Sequence, residues 1–431
     1  MNILLVLNKP NREMAIMQSV KKELLLMDPH AHVEIWEMCT PHFNADVLRF
    51  KPDVILTFPF TCTGFATWYY LFKLLFACKV LTLRAEGVVD LSSEYNVQWA
   101  VGFDRYGRYL VDHELFWGSL VANAIGHNLL KQGKLSSLDR VRLVGYPRLE
   151  SYFSPKSTTE RTVLPDRLTI RINSYDRRDI IFFATGFHLA NYTRQDLFDA
   201  RDLDAENRID ELLDAVEITR RFRQAWIESV IATAEQNPDL LIIVKKHPIE
   251  KKEDYLILER LTNVLYVYED VDIQHLMPHA GLFLHYGSTS LVDSYLSRIP
   301  SVYVSSPENK SWYSDLGWPS SRKVAVSDVP RVVSEYRTAG IPFAMTDDIK
   351  AVLKSVFDIE EGLSYRPSRR IAEVILEKDP AQKIPLTDKY LWKALLSIGI
   401  SVLVRRTSRT IKFLLRIDPN EPLLRRKCSP R

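Results

Sequence analysis

Apolar residues along this chain fall into short, dense runs separated by longer stretches in which they recur every three or four positions. Ile3–Leu7 opens the first series. It continues through His32–Met38 (HVEIWEM), a run after Pro52-Asp53 (VILT), Cys78–Leu83 (CKVLTL) and Val141–Val144 (VRLV). A polar interval from Ser151 to Arg178 follows, and then the pattern starts again. Its second series is IIFFA, LLIIVKK, VLYV, LFLH and SVYV, with a helical stripe over Thr219–Gln236 between the first two runs. Runs of four to six residues rich in Val, Ile and Leu, without alternation, predict strands buried on both faces. Strands alternating with helical patterns predict βαβ units and parallel sheets. The chain therefore reads as α/β, built from two Rossmann-like halves joined by a linker.

Ligands of open parallel sheets sit beyond the carboxyl ends of the strands, so the residues just after each run carry the chemistry. The run LLIIV ends on Lys245, Lys246, His247 and Pro248. Proline fixes its own φ and biases His247 away from helix, which holds the imidazole at the mouth of the strand. Lysine and imidazole donors there suit a phosphate, although a solvated strand end has the same composition. The run LFLH ends on Tyr286, then Gly287, Ser288, Thr289 and Ser290 open a helix. Glycine allows a tight turn, Ser and Thr cap the helix, and its first N–H groups form an anion site. Asp293, one turn in, suits a ribose hydroxyl or simply the helix dipole. Two such strand ends in one half predict a phosphate pocket and a nucleotide-linked substrate. Ala184–Asp204, with Gly186, His188 and Asn191, is a candidate loop over that pocket.

Composition narrows the partners. The chain is 46% hydrophobic and 26% charged, with too little Gly and Pro for a fibrous or low-complexity class. Cys39, Cys62, Cys78 and Cys428 have no CxxC spacing, and no signal-like segment precedes the first strand, so a reducing cytosol is expected. His42, His113, His127, His275 and His279 lack metal-ligand spacing, and Asp270–Asp272 (DVD) reads as an acidic turn. No metal and no cofactor is expected. Net charge is +3, but Lys389–Arg431 holds eleven Lys/Arg against Asp418 and Glu421, leaving the remainder at −6. The uncharged run Ala394–Val404 is shorter than the roughly 20 residues that span a bilayer. With Trp392, Arg405, Arg406, Arg409 and Lys412, residues 390–427 suit an interfacial helix on anionic lipid, or a basic helix packed back on the first half. A nucleic-acid partner is not expected, because the body lacks a basic face with interleaved aromatics.

The order strand–KKHP–GSTSLVDSYLSRIP–strand resembles the C-terminal half of GT-B glycosyltransferases that use CMP-sugars, the bacterial sialyl- and Kdo transferases with an HP motif. NREM, KPDVIL, EG, VGYPRLE, KKHPIE and GSTSLVDS are similar to features of surface-carbohydrate biosynthesis proteins. The CDP-glycerol glycerophosphotransferases share a similar half. The resemblance implies a GT-B fold, two Rossmann-like domains facing across a cleft, with a basic C-terminal helical tail. Its implied parts are an acceptor domain at 1–150, a linker at 151–178, a nucleotide-sugar donor domain at 179–345, helices at 346–385 and the tail at 386–431. It implies donor-phosphate contact for His247 and phosphate cradling for Ser288–Ser290. Glu86-Gly87 matches part of an acidic-acidic-Gly motif whose carboxylate is the general base, with Ala85 in place of the first acid. The implied activity is metal-independent transfer of a sugar, from a CMP-sugar above all, to a glycan or lipid-linked acceptor of surface polysaccharide or lipopolysaccharide synthesis. The implied place is the inner face of the cell membrane. A glycerophosphotransferase, a nucleotide-sugar epimerase and a non-catalytic GT-B scaffold are the alternatives.

Overall fold

The computed structural model describes residues 1–381 apart from 9, 39, 41, 59–62, 85–110, 132–136, 154–163, 195–204, 249, 270, 307 and 309–317, and beyond these only residue 396. Glu86 and the basic tail lie outside the described residues.

Two six-stranded, wholly parallel sheets carry the chain, each the core of a Rossmann-like domain. The first has order β2-β1-β3-β4-β5-β6, from β1 (Asn2–Leu7), β2 (His32–Glu37), β3 (Val54–Thr57), β4 (Lys79–Leu83), β5 (His113–Phe116) and β6 (Val141–Leu143). Its helices are α1 (Pro10–Met27), α2 (Phe43–Phe50), α3 (Thr63–Phe76) and α4 (Ser119–Lys131). A 3-10 turn (Pro147–Tyr152) and α5 (Asp166–Asn173) lead into the second sheet. That sheet has order β12-β11-β10-β7-β8-β9, from β7 (Ile180–Ala184), β8 (Leu241–Lys245), β9 (Val264–Val267), β10 (Leu282–His285), β11 (Ser301–Ser305) and β12 (Arg322–Ala325). Around it lie α6 (Ala205–Gln236), α7 (Ile273–Leu276), α8 (Leu291–Leu296) and α9 (Val329–Ala339). The chain then returns through α10 (Asp347–Phe357) to α11 (Pro367–Leu376), which packs on α1.

The unbroken apolar runs are explained by burial on both faces. Ile3, Leu5 and Leu7 of β1 join one core cluster while Leu4 and Val6 join another. In the second sheet, Ile180 and Phe182 of β7 divide from Ile181 and Phe183 in the same way. The alternating segment HVEIWE is instead the edge strand β2, in which only Val33 is buried. Two strands escape the hydrophobic pattern. β5 reads HELF because buried His113 and Glu114 have partners, and β12 reads RKVA because it is an edge.

One core cluster runs through both domains where the chain crosses between them. Trp117 stacks on Tyr146 at 3.7 Å, and Tyr365 receives the Tyr146 N–H at 2.7 Å while its hydroxyl donates to Phe357 O. The turn after β5 lies tight against the end of α10. A Cβ on Gly118 would stand 2.4 Å from the Val356 carbonyl carbon and 2.5 Å from Ser355 O. Both obstacles are backbone, so neither can swing aside. Gly118→Ala is expected to destabilise the protein by about 1–3 kcal/mol, the cost of overpacking, seen as a lower thermal midpoint. An unchanged melt would mean the α10 contact is soft.

Candidate functional site

Strand order reverses between β7 and β10 in the second sheet, and between β1 and β3 in the first. Such switch points open a crevice because the connections on either side leave toward opposite faces. At the second switch point, the residues after β7 (Thr185, Gly186, Phe187) adjoin those after β8 (Lys246–Glu250) and β10 (Tyr286–Ser290). A Cβ added to Gly186 would meet nothing within 4 Å, so there is room at this strand end.

Four sequence candidates sit together on β8 and its loop. Lys245 is half-buried and donates to Glu269 O at 3.1 Å. Lys246 is buried, and its ammonium donates to the carbonyls of His247 (2.8 Å), Pro248 (3.3 Å) and Glu250 (2.7 Å). An ammonium has three donors and these carbonyls take three bonds, so Lys246 shapes the turn instead of reaching outward. His247 is half-buried, and its backbone N–H is held by Thr185 Oγ1 at 2.9 Å and Glu250 Oε2 at 3.0 Å. Pro248 is exposed at the tip.

Glu250, which the sequence pattern does not single out, organises this loop. Buried at 4% exposure, it accepts from the Phe187 N–H at 2.6 Å, the Tyr255 hydroxyl at 2.7 Å, the His247 N–H and the Thr185 hydroxyl. It thereby ties the loop after β8 to the end of β7. Burial, then the Glu250 carboxylate, push the Tyr255 hydroxyl far above the usual tyrosine range. No local signal singles it out, because Lys251 and Lys252 follow it directly and make it read as an ordinary solvated charge.

The loop after β10 differs from the expected helix-end anion site. Gly287 takes the left-handed conformation, φ 58°, as a tight turn requires. However, the Ser290 N–H goes to Ser288 Oγ at 3.2 Å, and the N–H groups of Leu291, Val292 and Asp293 go to the carbonyls of Ser288, Thr289 and Ser290. α8 has only six residues, too short for a substantial dipole. What the loop offers outward is its hydroxyls: Thr289 is exposed, Ser288 and Ser290 half-exposed.

Asp293 does not face the crevice as a ribose acceptor. It is fully buried and takes bonds from Arg148 Nη2 at 2.6 Å and the Tyr152 hydroxyl at 2.9 Å. Arg148 comes from the turn after β6, so the pair joins the domains; its other nitrogen binds Asp272 at 2.6 Å. Burial raises the Asp293 carboxyl above its ordinary value against the pull of Arg148. Burial alone would lower the Arg148 guanidinium, but Asp293 and then Asp272 outweigh it and hold it above its ordinary value. In the sequence Arg148 is one residue of VGYPRLE. Nothing local distinguishes it, because its partners lie 124 and 145 residues away.

The loop candidate Asn191 is an anchor. Its side-chain oxygen accepts from Arg223 of α6 at 2.7 Å, and Arg223 also pairs with Asp254. His188 lies in the same 3-10 turn, His188–Asn191. At the amino end of β5 in the first sheet, His113, Glu377 and Asp379 bring metal-type donor atoms within 4.8 Å. There Asp379 is already shared by His113 (2.7 Å) and the Lys79 ammonium (2.8 Å), so both of its oxygens are engaged within the protein.

Two parallel Rossmann-like domains with a switch-point crevice define the GT-B architecture, and comparison with solved structures agrees. The chain is similar to UDP-GlcNAc 2-epimerase from Neisseria meningitidis bound to UDP-GlcNAc, with TM-score 0.52 and 10% identity over 87% of this chain and 100% of that one. It is also similar to Arabidopsis thaliana UGT89C1 complexed with UDP-L-rhamnose, with TM-score 0.51 and 11% identity over 87% and 98%. No family model matches the chain, and no curated protein matches it. At such identities the likeness establishes the fold.

Proposed function

We propose that the protein is a GT-B glycosyltransferase that moves a sugar from a nucleotide-activated donor, a CMP-sugar above all, to a glycan or lipid-linked acceptor of surface polysaccharide. The observation that carries this reading is the convergence at the second switch point. Buried Glu250, Thr185 and Lys246 fix the backbone around His247, beside the room at Gly186 and the hydroxyls of Ser288–Ser290. A rigid scaffold under a half-buried imidazole is what a leaving phosphate needs, since preorganised donors stabilise developing charge without reorganising. His247, Lys245 and the three hydroxyls are the donor-binding set, with Gly287 and Pro248 shaping the loops and Lys246 acting through the turn. Glu86 is the general base and the first domain takes the acceptor. Residues 390–427 rest on an anionic membrane surface. Among the described residues no helix is long and apolar enough to cross a membrane.

Calorimetric titration with CMP, CDP, UDP and GDP tests the donor assignment. Wild type is expected to bind CMP selectively, and His247→Ala to weaken it by about 1.5–3 kcal/mol, the range for a hydrogen bond to a charged group. Nucleotide affinity untouched by His247→Ala would remove the imidazole from the site. A second reading, a UDP-sugar epimerase, is favoured by the fold likeness to the Neisseria enzyme bound to UDP-GlcNAc. Selective UDP binding, with a nucleotide-sugar converted in the absence of any acceptor, would move that reading to the front.

A further inference from the structure

We infer that Arg148 is a positioning residue for the donor loop Gly287–Ser290, acting on it from the opposite domain; this rests on the donor-site reading above. The guanidinium leaves the turn after β6, the last strand of the first sheet, and ends on two carboxylates of the second domain. Each carboxylate belongs to a different strand end. Asp272 follows β9 and caps α7, accepting from the Gln274 N–H. Asp293 stands three residues beyond Ser290, to whose carbonyl its own N–H is bonded at 3.0 Å.

The clamp is tight and specific. A planar fork serves two acceptors at fixed angles, which an ammonium on a flexible stem does not. The Tyr152 hydroxyl takes the second Asp293 oxygen, Ser151 donates to Gln274 at 3.1 Å, and the Tyr146 ring lies 5.7 Å from the guanidinium. Tyr146 is in turn fixed through Tyr365 to the second crossing of the chain. The side chain of Asp293 has no exposure and that of Arg148 only 18%, so bulk salt screens the pair little. The donor loop is thus referenced to the first domain. Any change in the angle between domains pulls on Asp293, and through it on the backbone that carries the three hydroxyls.

The experiment titrates CMP, CDP, UDP and GDP into wild type, Arg148→Met, Asp293→Asn and Tyr152→Phe, with circular dichroism and melting to establish that each is folded. Arg148→Met is expected to weaken the nucleotide that wild type binds by about 5- to 150-fold, the usual span of coupling between sites. Asp293→Asn should weaken it too. That variant separates positioning from direct contact: an arginine that itself bound the phosphate would be released from Asp293, and affinity would hold or rise, which would overturn the inference. Where Arg148→Met does not fold, Tyr152→Phe decides, because it removes one hydroxyl without changing shape. A loss of about 2- to 10-fold supports the clamp, and wild-type affinity sinks it. Nucleotide binding lost in His247→Ala but intact in Arg148→Met overturns the clamp and keeps the donor site. No nucleotide binding by wild type overturns both.

Discussion

Glu250→Ala is expected to cost the protein about 3–5 kcal/mol, read by urea denaturation. The reason is the number of donors that converge on one buried carboxylate. Thr185, Phe187, His247 and Tyr255 all donate to it, and its removal leaves these donors without their acceptor in a buried space. An unsatisfied buried donor costs about 1–3 kcal/mol, more when the lost partner was charged, and partial relaxation keeps the sum below four full penalties. Glu250→Gln should recover part of the loss. An amide still accepts through its oxygen, but its NH2 now faces donors. Both variants should also lose nucleotide affinity, since the backbone under His247 is no longer held. If Glu250→Ala melts like wild type, the loop after β8 is supported from elsewhere, and the account of the site as a rigid scaffold fails.

Arg84→Met is the second change expected to be severe, again by about 3–5 kcal/mol at neutral pH, the usual cost of breaking a buried pair by deleting one partner. Glu114 of β5 has no exposure; it accepts from Arg84 Nε at 2.9 Å and the Thr82 hydroxyl at 2.6 Å. Burial pushes the Glu114 carboxyl above the usual carboxylate range, while Arg84 pulls it back down. Without Arg84 the folded-state value rises further above the unfolded one. A raised value makes folding most favourable below the unfolded pKa, and that advantage is lost as pH rises through the folded pKa. Arg84→Met should therefore lose less stability at pH 5 than at pH 7.5. The double variant with Glu114→Gln should recover most of the loss and flatten the dependence. A deficit independent of pH would mean that the damage comes from lost packing over Phe116, 5.3 Å from the guanidinium.

The two pairs mark where local pattern stops being informative. A strand is recognisable when its own residues are apolar enough to bury themselves, which is why β1, β7, β8 and β10 were legible as unbroken runs. β5 was not, because Glu114 and His113 are buried only by virtue of Arg84, Thr82 and Asp379. α6 was legible from Thr219 onward, but it begins at Ala205. The HP strand end and the Gly-Ser-Thr-Ser turn were correctly placed on the loops of one sheet, because strand order in a βαβ series follows from sequence order and handedness.

By itself, then, the sequence determined the α/β class, the doubling into two Rossmann-like domains, and which strand ends carry donors and hydroxyls, because periodicity and turn chemistry act between neighbours. Only the tertiary structure decided which of those groups face outward. Lys246 turned inward to three carbonyls of its own loop, Asp293 was taken by an arginine 145 residues earlier, and Glu250 became the centre of the site's scaffold. The physical reason is the same in each case. A buried charge must be satisfied, and its partners are supplied by whatever strand, turn or domain the fold brings within 3 Å, at separations no local pattern encodes.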